Sequence, residues 1–317
     1  MAHTVNFGPA TKPTFYFIGV TTGKSSIMKV FPAWARHLGL GDCQIRGVDC
    51  KWHDEPEVYR AVVTFLKNDK LSLGGLVTTH KLDLLKASRD LFDELGPYAR
   101  QLEEVSCIFK RNGKLCGDAK DPISAGLSFD AIVDADYWRN NAEICLLGAG
   151  GSSLALTIHL MRLPEGRRPS RIYVTNRSPK RLEEMEHVHA NMDCPIPVEY
   201  RLCPDAEDND KVVNILRPGS MVINATGLGK DAPGSPLTDA ARFPQNGIAW
   251  EFNYRGNLVF LDQARSQKDA GNLTIEDGWV YFIHGWTRVV AEVFDIDIPA
   301  HGPEFDKLCE IAATVRN

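Results

Sequence analysis

Residues 144–161 constrain this chain more than any other stretch. Ile144-Cys145-Leu146-Leu147 is a short apolar run that reads as a buried strand. It passes directly into Gly148-Ala149-Gly150-Gly151-Ser152-Ser153, after which apolar residues recur at helical spacing through Leu154, Ile158 and Met161. Strand, glycine turn and helix start in that order have a physical use. Gly148 permits the tight turn. Gly150 lets the backbone approach a pyrophosphate, which then sits on the unpaired N–H groups at the positive end of the helix. Ser153 takes the third fingerprint position, where Gly or Ala is usual, and is small enough for close helix packing. The stretch predicts a dinucleotide-binding α/β domain of the Rossmann type.

The next strand discriminates between dinucleotides. An NAD site wants Asp or Glu at its end for the ribose 2′-hydroxyl. This chain reads Asn176-Arg177-Ser178-Pro179-Lys180-Arg181, with no acid and three cations within five residues. Guanidinium groups suit a 2′-phosphate through bidentate, charge-assisted hydrogen bonds. NADP is therefore the expected cofactor.

Six strand candidates, 144–147, 171–175, 198–202, 221–224, 248–252 and 273–275, alternate with helical stretches, as in a doubly wound sheet. An earlier series covers the first third. Residues 15–20 read as a buried strand, 26–38 as a helix interrupted by Pro32, 43–48 as a strand, 55–66 as a helix and 73–77 as an apolar strand. Candidates 106–110 and 114–117 flank Asn112-Gly113, a type I′ hairpin signal because both turn positions need positive φ. The tail, 280–294 and 303–315, reads as helices with no further strand. At 317 residues the chain is too long for one core. The expected fold is α/β with two domains: a substrate domain of residues 1–128 and 280–317, and an NADP domain of 129–279 between them.

Composition narrows the function classes. A net charge of -5 with scattered cations argues against nucleic-acid and anionic-membrane partners. No apolar run approaches membrane-spanning length, and the N-terminal stretch lacks an apolar signal core. The eight cysteines form no CxxC pair and no Cys/His cluster of zinc spacing, so reduced thiols in a cytoplasmic protein and no metal are expected.

In motif order the chain resembles the shikimate/quinate dehydrogenase family over nearly its whole length. Gly148 to Gly151 resembles the family's glycine loop, and Asn176-Arg177-Ser178 with Arg181 its NADP-phosphate motif. Asn224-Ala225-Thr226-Gly227 is similar to the Asn-Ala-Thr-Ser segment along the nicotinamide half of the cofactor. Val77-Thr78-Thr79-His80-Lys81 is similar to Val-Thr-x-Pro-x-Lys, one residue shorter, and Gly117 to Asp121 matches Gly-x-Asn-Thr-Asp at its first and last members. Tyr254 and the segment 277–284 take the places of late substrate motifs.

The resemblance implies reversible hydride transfer between a ring alcohol and NADP. Lys81 and Asp121 match the family's acid/base pair. A buried lysine of lowered pKa is suited to removing a hydroxyl proton, with a carboxylate beside it to hold it. The substrate side departs from the pattern. The family's Ser-x-Ser, which binds a substrate carboxylate, falls on Gly23-Lys24-Ser25-Ser26. Ser26 takes its second position and Lys24, a point charge, its first; a one-residue shift would use Ser25 instead. Family asparagines become Leu76, Ser106 and Ala119, and the late glutamine falls at His284 or Gly285. Thr78, Ser106, Tyr254 and His284 complete the expected substrate set. His80 is expected to face solvent, and Trp279, Tyr281 and Trp286 to belong to the core. The expected ligand is a small hydroxylated cyclic carboxylate, shikimate, quinate or a related ring, bound by a monomer or homodimer. Two rivals remain: an offshoot acting on another cyclic polyol or an aminated ring, and a non-catalytic NADP-binding regulator.

Overall fold

The apolar runs become strands of two separate sheets in a computed structural model, which describes residues 8–315 apart from 135, 194 and 231 and the side chains of 139 and 140. Contacts divide the chain into two units at the boundaries 120/121 and 284/285.

The first unit holds β1 (Thr14–Gly19), α1 (Ile27–His37), β2 (Gln44–Asp49), α2 (Pro56–Asn68), β3 (Ser72–Val77), α3 (Lys81–Ser88), β4 (Glu94–Leu95), α4 (Pro97–Leu102), β5 (Cys107–Arg111) and β6 (Lys114–Asp118). Its sheet runs β2-β1-β3-β5-β6-β4. β1 pairs in parallel with β2 and β3, whereas β3–β5 and β5–β6 are antiparallel. Asn112 and Gly113 both have positive φ, as the type I′ turn between β5 and β6 demands. Gly74 has a φ of 132°, and a Cβ there would lie 2.2 Å from the Ile108 carbonyl, so only glycine fits this point of the sheet. Pro32 does not interrupt α1. It lies on the exposed face, while Val30, Phe31, Trp34 and Ala35 bury the other, and that packing outweighs one missing helical hydrogen bond.

The second unit holds α5 (Asp121–Ile132), β7 (Ile144–Leu147), α6 (Gly151–Arg162), β8 (Ile172–Asn176), α7 (Pro179–Ala190), β9 (Val198–Leu202), α8 (Ala206–Val213), β10 (Met221–Asn224), β11 (Ile248–Glu251), α9 (Val259–Arg265), α10 (Lys268–Gly271) and β12 (Thr274–Glu276). Its all-parallel sheet runs β12-β11-β10-β7-β8-β9. The chain winds outward from β7 through β8 to β9, then returns to β10 on the other side of β7. The topological switch point thus lies between β7 and β10. Successive residues serve opposite faces: Ile144, Leu146, Ile223 and Trp250 enter one core cluster, and Cys145, Leu147, Val222 and Ala249 another.

α11 (Trp279–Phe294) contains the second boundary, and α12 (Pro303–Ala313) closes the chain. Within the first unit, the Trp286 ring meets Phe15 and Phe17 edge-on, and the Trp34 indole N–H donates to the Leu308 carbonyl at 2.9 Å. The C-terminal helices thereby return to the first sheet. The first contact boundary falls earlier than the domain boundary expected at 128/129. α5 packs so closely on α6 that a Cβ at Gly126 would lie 2.3 Å from the His159 ring. The described cysteines are all free thiols, and Cys194 lies outside the described residues. Among the described residues, no helix is long and apolar enough to cross a membrane.

Candidate functional site

In the second unit the expected cofactor residues gather at the carboxyl ends of β7, β8 and β10. Gly148, at a φ of 107°, makes the turn after β7, and a Cβ there would lie 3.1 Å from the Ala225 carbonyl and the Thr226 methyl. The glycine turn is therefore packed against the segment that follows β10. Across the turn, the Ser153 hydroxyl donates to the Gly148 carbonyl. Gly150 caps α6 with extended backbone and no side-chain cap, and a Cβ on it would meet nothing within 4 Å. The first N–H groups of α6 therefore receive no side-chain cap from residue 150. Asn176 joins this turn to β8: its Oδ1 accepts the Ala149 N–H at 3.4 Å and its Nδ2 donates to the Ser178 carbonyl at 3.1 Å.

Arg177, Lys180 and Arg181 are exposed around the start of α7. Arg181 pairs with Glu184 at 2.8 Å within that helix. An exposed pair of this kind is worth a few tenths of a kcal/mol, roughly, and gives way readily to a bound anion.

A buried polar network follows β10. The Asn224 Oδ1 accepts both the N–H and the hydroxyl of Thr226, at 3.0 and 2.7 Å. Its Nδ2 donates to Glu251 Oε2 at 2.5 Å. Glu251 Oε1 accepts the N–H and the Nδ2 of Asn253, at 2.8 and 2.7 Å, and that Nδ2 also donates to the Thr226 carbonyl at 2.9 Å. Glu251 is fully buried, and burial raises its pKa to about 7 against the opposing hydrogen bonds from the two asparagines. Sequence reasoning missed Glu251 and Asn253. The available signal was an acid ending an otherwise apolar strand, which is costly unless partnered.

Tyr254, half-buried, packs its ring on Phe282 at 4.5 Å and Trp279 at 5.5 Å. Trp279 and Trp286 are buried, and Tyr281 packs on Phe252, so these aromatics belong to the packing as expected. His284 on α11 is 1% exposed.

In the first unit the expected residues lie at one end of three interior strands of the sheet. Lys24, Ser25 and Ser26 follow β1, Thr78 follows its parallel neighbour β3, and Ser106 precedes β5, which is antiparallel to β3. Lys24 is exposed and the two serines are half-buried ahead of α1. Thr22 anchors this loop by donating its N–H and hydroxyl to Asp49 Oδ1 at 2.8 and 2.6 Å. After β3, Thr79 adopts a φ of 62° and turns the chain so that Lys81 opens α3.

His80 departs from expectation. It is 1% exposed, its Nδ1 lies 3.1 Å from the Tyr59 hydroxyl, and burial lowers its pKa. It secures the loop beneath the lysine instead of facing water. The Lys81 carbonyl accepts the Val105 N–H at 3.3 Å, which brings Glu104 alongside. Burial lowers the Lys81 pKa while the Glu104 charge opposes the shift, and burial raises that of Glu104. Glu104 was not expected here. Ser106 is buried, and its hydroxyl oxygen accepts the Lys120 N–H at 2.8 Å. The Lys120 ammonium reaches Asp118 at 3.1 Å and Glu292 at 2.8 Å. Asp121 is the first residue of α5 and falls in the second unit.

No family model matches the chain. The shikimate dehydrogenase (NADP(+)) of Lactococcus lactis subsp. cremoris is 25% identical over 222 residues, 70% of this chain and 73% of that protein. Among solved structures, shikimate dehydrogenase from Aquifex aeolicus superposes with a TM-score of 0.73 at 17% identity, covering 97% of this chain and 99% of that one. The 5-ketofructose reductase of a Gluconobacter species superposes with a TM-score of 0.69 at 16% identity, covering 96% and 99%. These structural likenesses establish the fold.

Proposed function

We propose that this chain, a member of the shikimate/quinate dehydrogenase family, is an NADP-dependent oxidoreductase that moves a hydride between a ring alcohol of a hydroxylated carbocycle and the cofactor. The observation that carries this reading is the uncapped, open start of α6 beside an acid-free, basic end of β8. Its residues fit the cofactor. Backbone from Gly148 to Ser153 would hold the pyrophosphate, Asn176, Arg177, Ser178 and Arg181 the 2′-phosphate, and Asn224 to Gly227 the nicotinamide half. When bound, NADP accepts or returns the hydride.

The chain's own residues supply the proton chemistry and the positioning. Lys81 takes the proton of the reacting hydroxyl, a role favoured by its burial; the family resemblance assigns Asp121 as its carboxylate partner. Lys24 and Ser26, or Ser25, receive the ring carboxylate. The same resemblance assigns the ring and its hydroxyls to Thr78, Ser106, Tyr254 and His284. Ala119, fully buried, and Leu76 offer no side-chain amide where the family pattern has one, so the reaction class carries over to this chain more directly than the identity of the ring. Action in the cytoplasm as a monomer or homodimer belongs to the same reading.

The test is NADP reduction with shikimate, quinate and inositol-like alcohols in parallel, together with NADPH binding followed by fluorescence. Turnover of a ring acid supports the reading in full. Turnover of a carboxylate-free ring alone moves the substrate class. Tight NADPH binding with no turnover of any ring alcohol overturns the enzymatic reading in favour of a cofactor-binding regulator.

A further inference from the structure

We propose that Glu251 is a positioning residue for the cofactor: its carboxylate, acting through Asn224 and Asn253, fixes the Thr226 peptide in the turn against which Gly148 packs. The inference rests on the reading above that residues 224–227 line the cofactor site.

The two asparagines hold Thr226 from both sides: its N–H and hydroxyl donate to Asn224 Oδ1, and its carbonyl accepts from Asn253 Nδ2. The Thr226 hydroxyl oxygen in turn accepts the Leu228 N–H at 3.2 Å. Each asparagine must therefore present its oxygen or nitrogen in one sense only, and a buried amide left to itself can flip. Glu251 removes that freedom. Both of its oxygens accept, Oε2 from Asn224 and Oε1 from the side chain and backbone of Asn253. Every group hydrogen-bonded to Glu251 is an N–H donor, and above its raised pKa of about 7 the ionised carboxylate is acceptor-only, so it dictates which end of each amide faces it. Asn224 and Glu251 end neighbouring parallel strands, paired in register, so the clamp joins β10, which borders the switch point, to β11.

A merely space-filling role would be met by an apolar residue of similar volume, at lower desolvation cost. A chain that keeps a fully buried acid at this strand end, tied to the turn beside the glycine loop, has placed orientation above packing.

The experiment compares three full-length proteins: wild type, Glu251→Gln and the double variant Asn224→Asp/Glu251→Gln. In the single variant the new amide NH2 must face at least one N–H donor. The double variant reverses one hydrogen bond: the introduced aspartate accepts from the introduced glutamine, still accepts from Thr226, and the net charge returns to that of wild type. NADPH affinity is read by fluorescence titration at a pH above the Glu251 pKa of about 7, where the wild-type carboxylate is ionised, with melting temperature measured beside it. Glu251→Gln is expected to raise the NADPH Kd roughly tenfold or more, the scale of a lost charge-assisted hydrogen bond. The double variant should recover most of that loss. An NADPH Kd within about twofold of wild type in a folded Glu251→Gln protein overturns the proposal, whatever its melting temperature. So does an impaired single variant that the reversal does not rescue. If Glu251→Gln fails to fold, Asn253→Ala, which removes the Asn253 hold on the Thr226 carbonyl, takes its place and must weaken NADPH binding. A wild-type protein that binds no NADPH sinks the cofactor reading itself, a result distinct from all of these.

Discussion

The hydroxyl oxygen of Ser106 accepts the backbone N–H of Lys120 at 2.8 Å, tying the residue that precedes β5 to the chain just beyond β6. The Ser106 N–H donates to the Asp118 carbonyl at 3.1 Å, so side chain and backbone close the same end of the hairpin. Ser106 holds an expected substrate position, and one lone pair of its oxygen already serves the fold. Ser106→Ala should cost about 1–3 kcal/mol by leaving a buried N–H without this acceptor. Urea unfolding checks this. The midpoint should fall with an unchanged m-value, and an unaltered midpoint would remove the structural role.

Lys120 also carries a charge network with Asp118, Glu292 and Arg111, whose guanidinium lies 3.2 Å from Glu292. Burial raises the Glu292 pKa, but Lys120 and Arg111 outweigh it and hold the carboxyl below its ordinary value. A depressed carboxylate stabilises the fold above its unfolded pKa, and that contribution fades as the pH falls through the folded one. Glu292→Ala should therefore destabilise the protein at pH 7 by about 1–3 kcal/mol, less than a fully buried pair would lose because the site is partly wet. The wild-type advantage over the variant should shrink steadily below about pH 4.5, the ordinary range of a glutamate. A difference independent of pH would show that lost packing, not charge, causes it.

Legibility followed the range of the interactions. Ile144 to Ser153 could be read because strand, turn and helix start are consecutive and local. The basic stretch after β8 could be read because an absent acid is visible in a single line of sequence. Asn112-Gly113 named its own turn type. What escaped was long-range. His80 sits between two polar-looking neighbours in sequence, yet Tyr59, 21 residues away, takes it into the interior. Glu251 and Asn224 meet only because β10 and β11 pair in register. Glu104 reaches Lys81 through a backbone bond across 24 residues, from Val105 to the Lys81 carbonyl. Pro32 is the opposite case: the local helix-breaking preference of proline yields to an amphipathic face that packs the helix regardless.

The basic end of β8 makes a direct prediction about cofactor choice. Arg177 is exposed, so its replacement should leave the fold intact. Arg177→Asp should weaken NADP binding by roughly 10- to 100-fold, the value of one or two charge-assisted hydrogen bonds plus repulsion of the phosphate. NAD, without that phosphate, should bind about as it does to wild type. Titrating both dinucleotides against both proteins checks this, and an equal loss for the two would dismiss the phosphate clamp.

Lys81 and Glu104 make the sharpest prediction about the chemistry. For alcohol oxidation Lys81 must be neutral to accept the hydroxyl proton, so kcat should rise with pH through its pKa. Burial lowers that pKa, while the neighbouring Glu104 charge raises it. Glu104→Gln removes only the raising influence, so the Lys81 pKa falls further and the rising limb of the profile should move to lower pH. Lys81→Ala should lose roughly 10²- to 10⁴-fold in kcat with NADPH affinity retained, as expected for removal of a general base. The two variants test different claims. Undiminished turnover in Lys81→Ala would remove the lysine from the mechanism. A Glu104→Gln limb that stays in place or moves to higher pH would show that Glu104 does not set the proton affinity of Lys81, whatever it contributes to the packing around it.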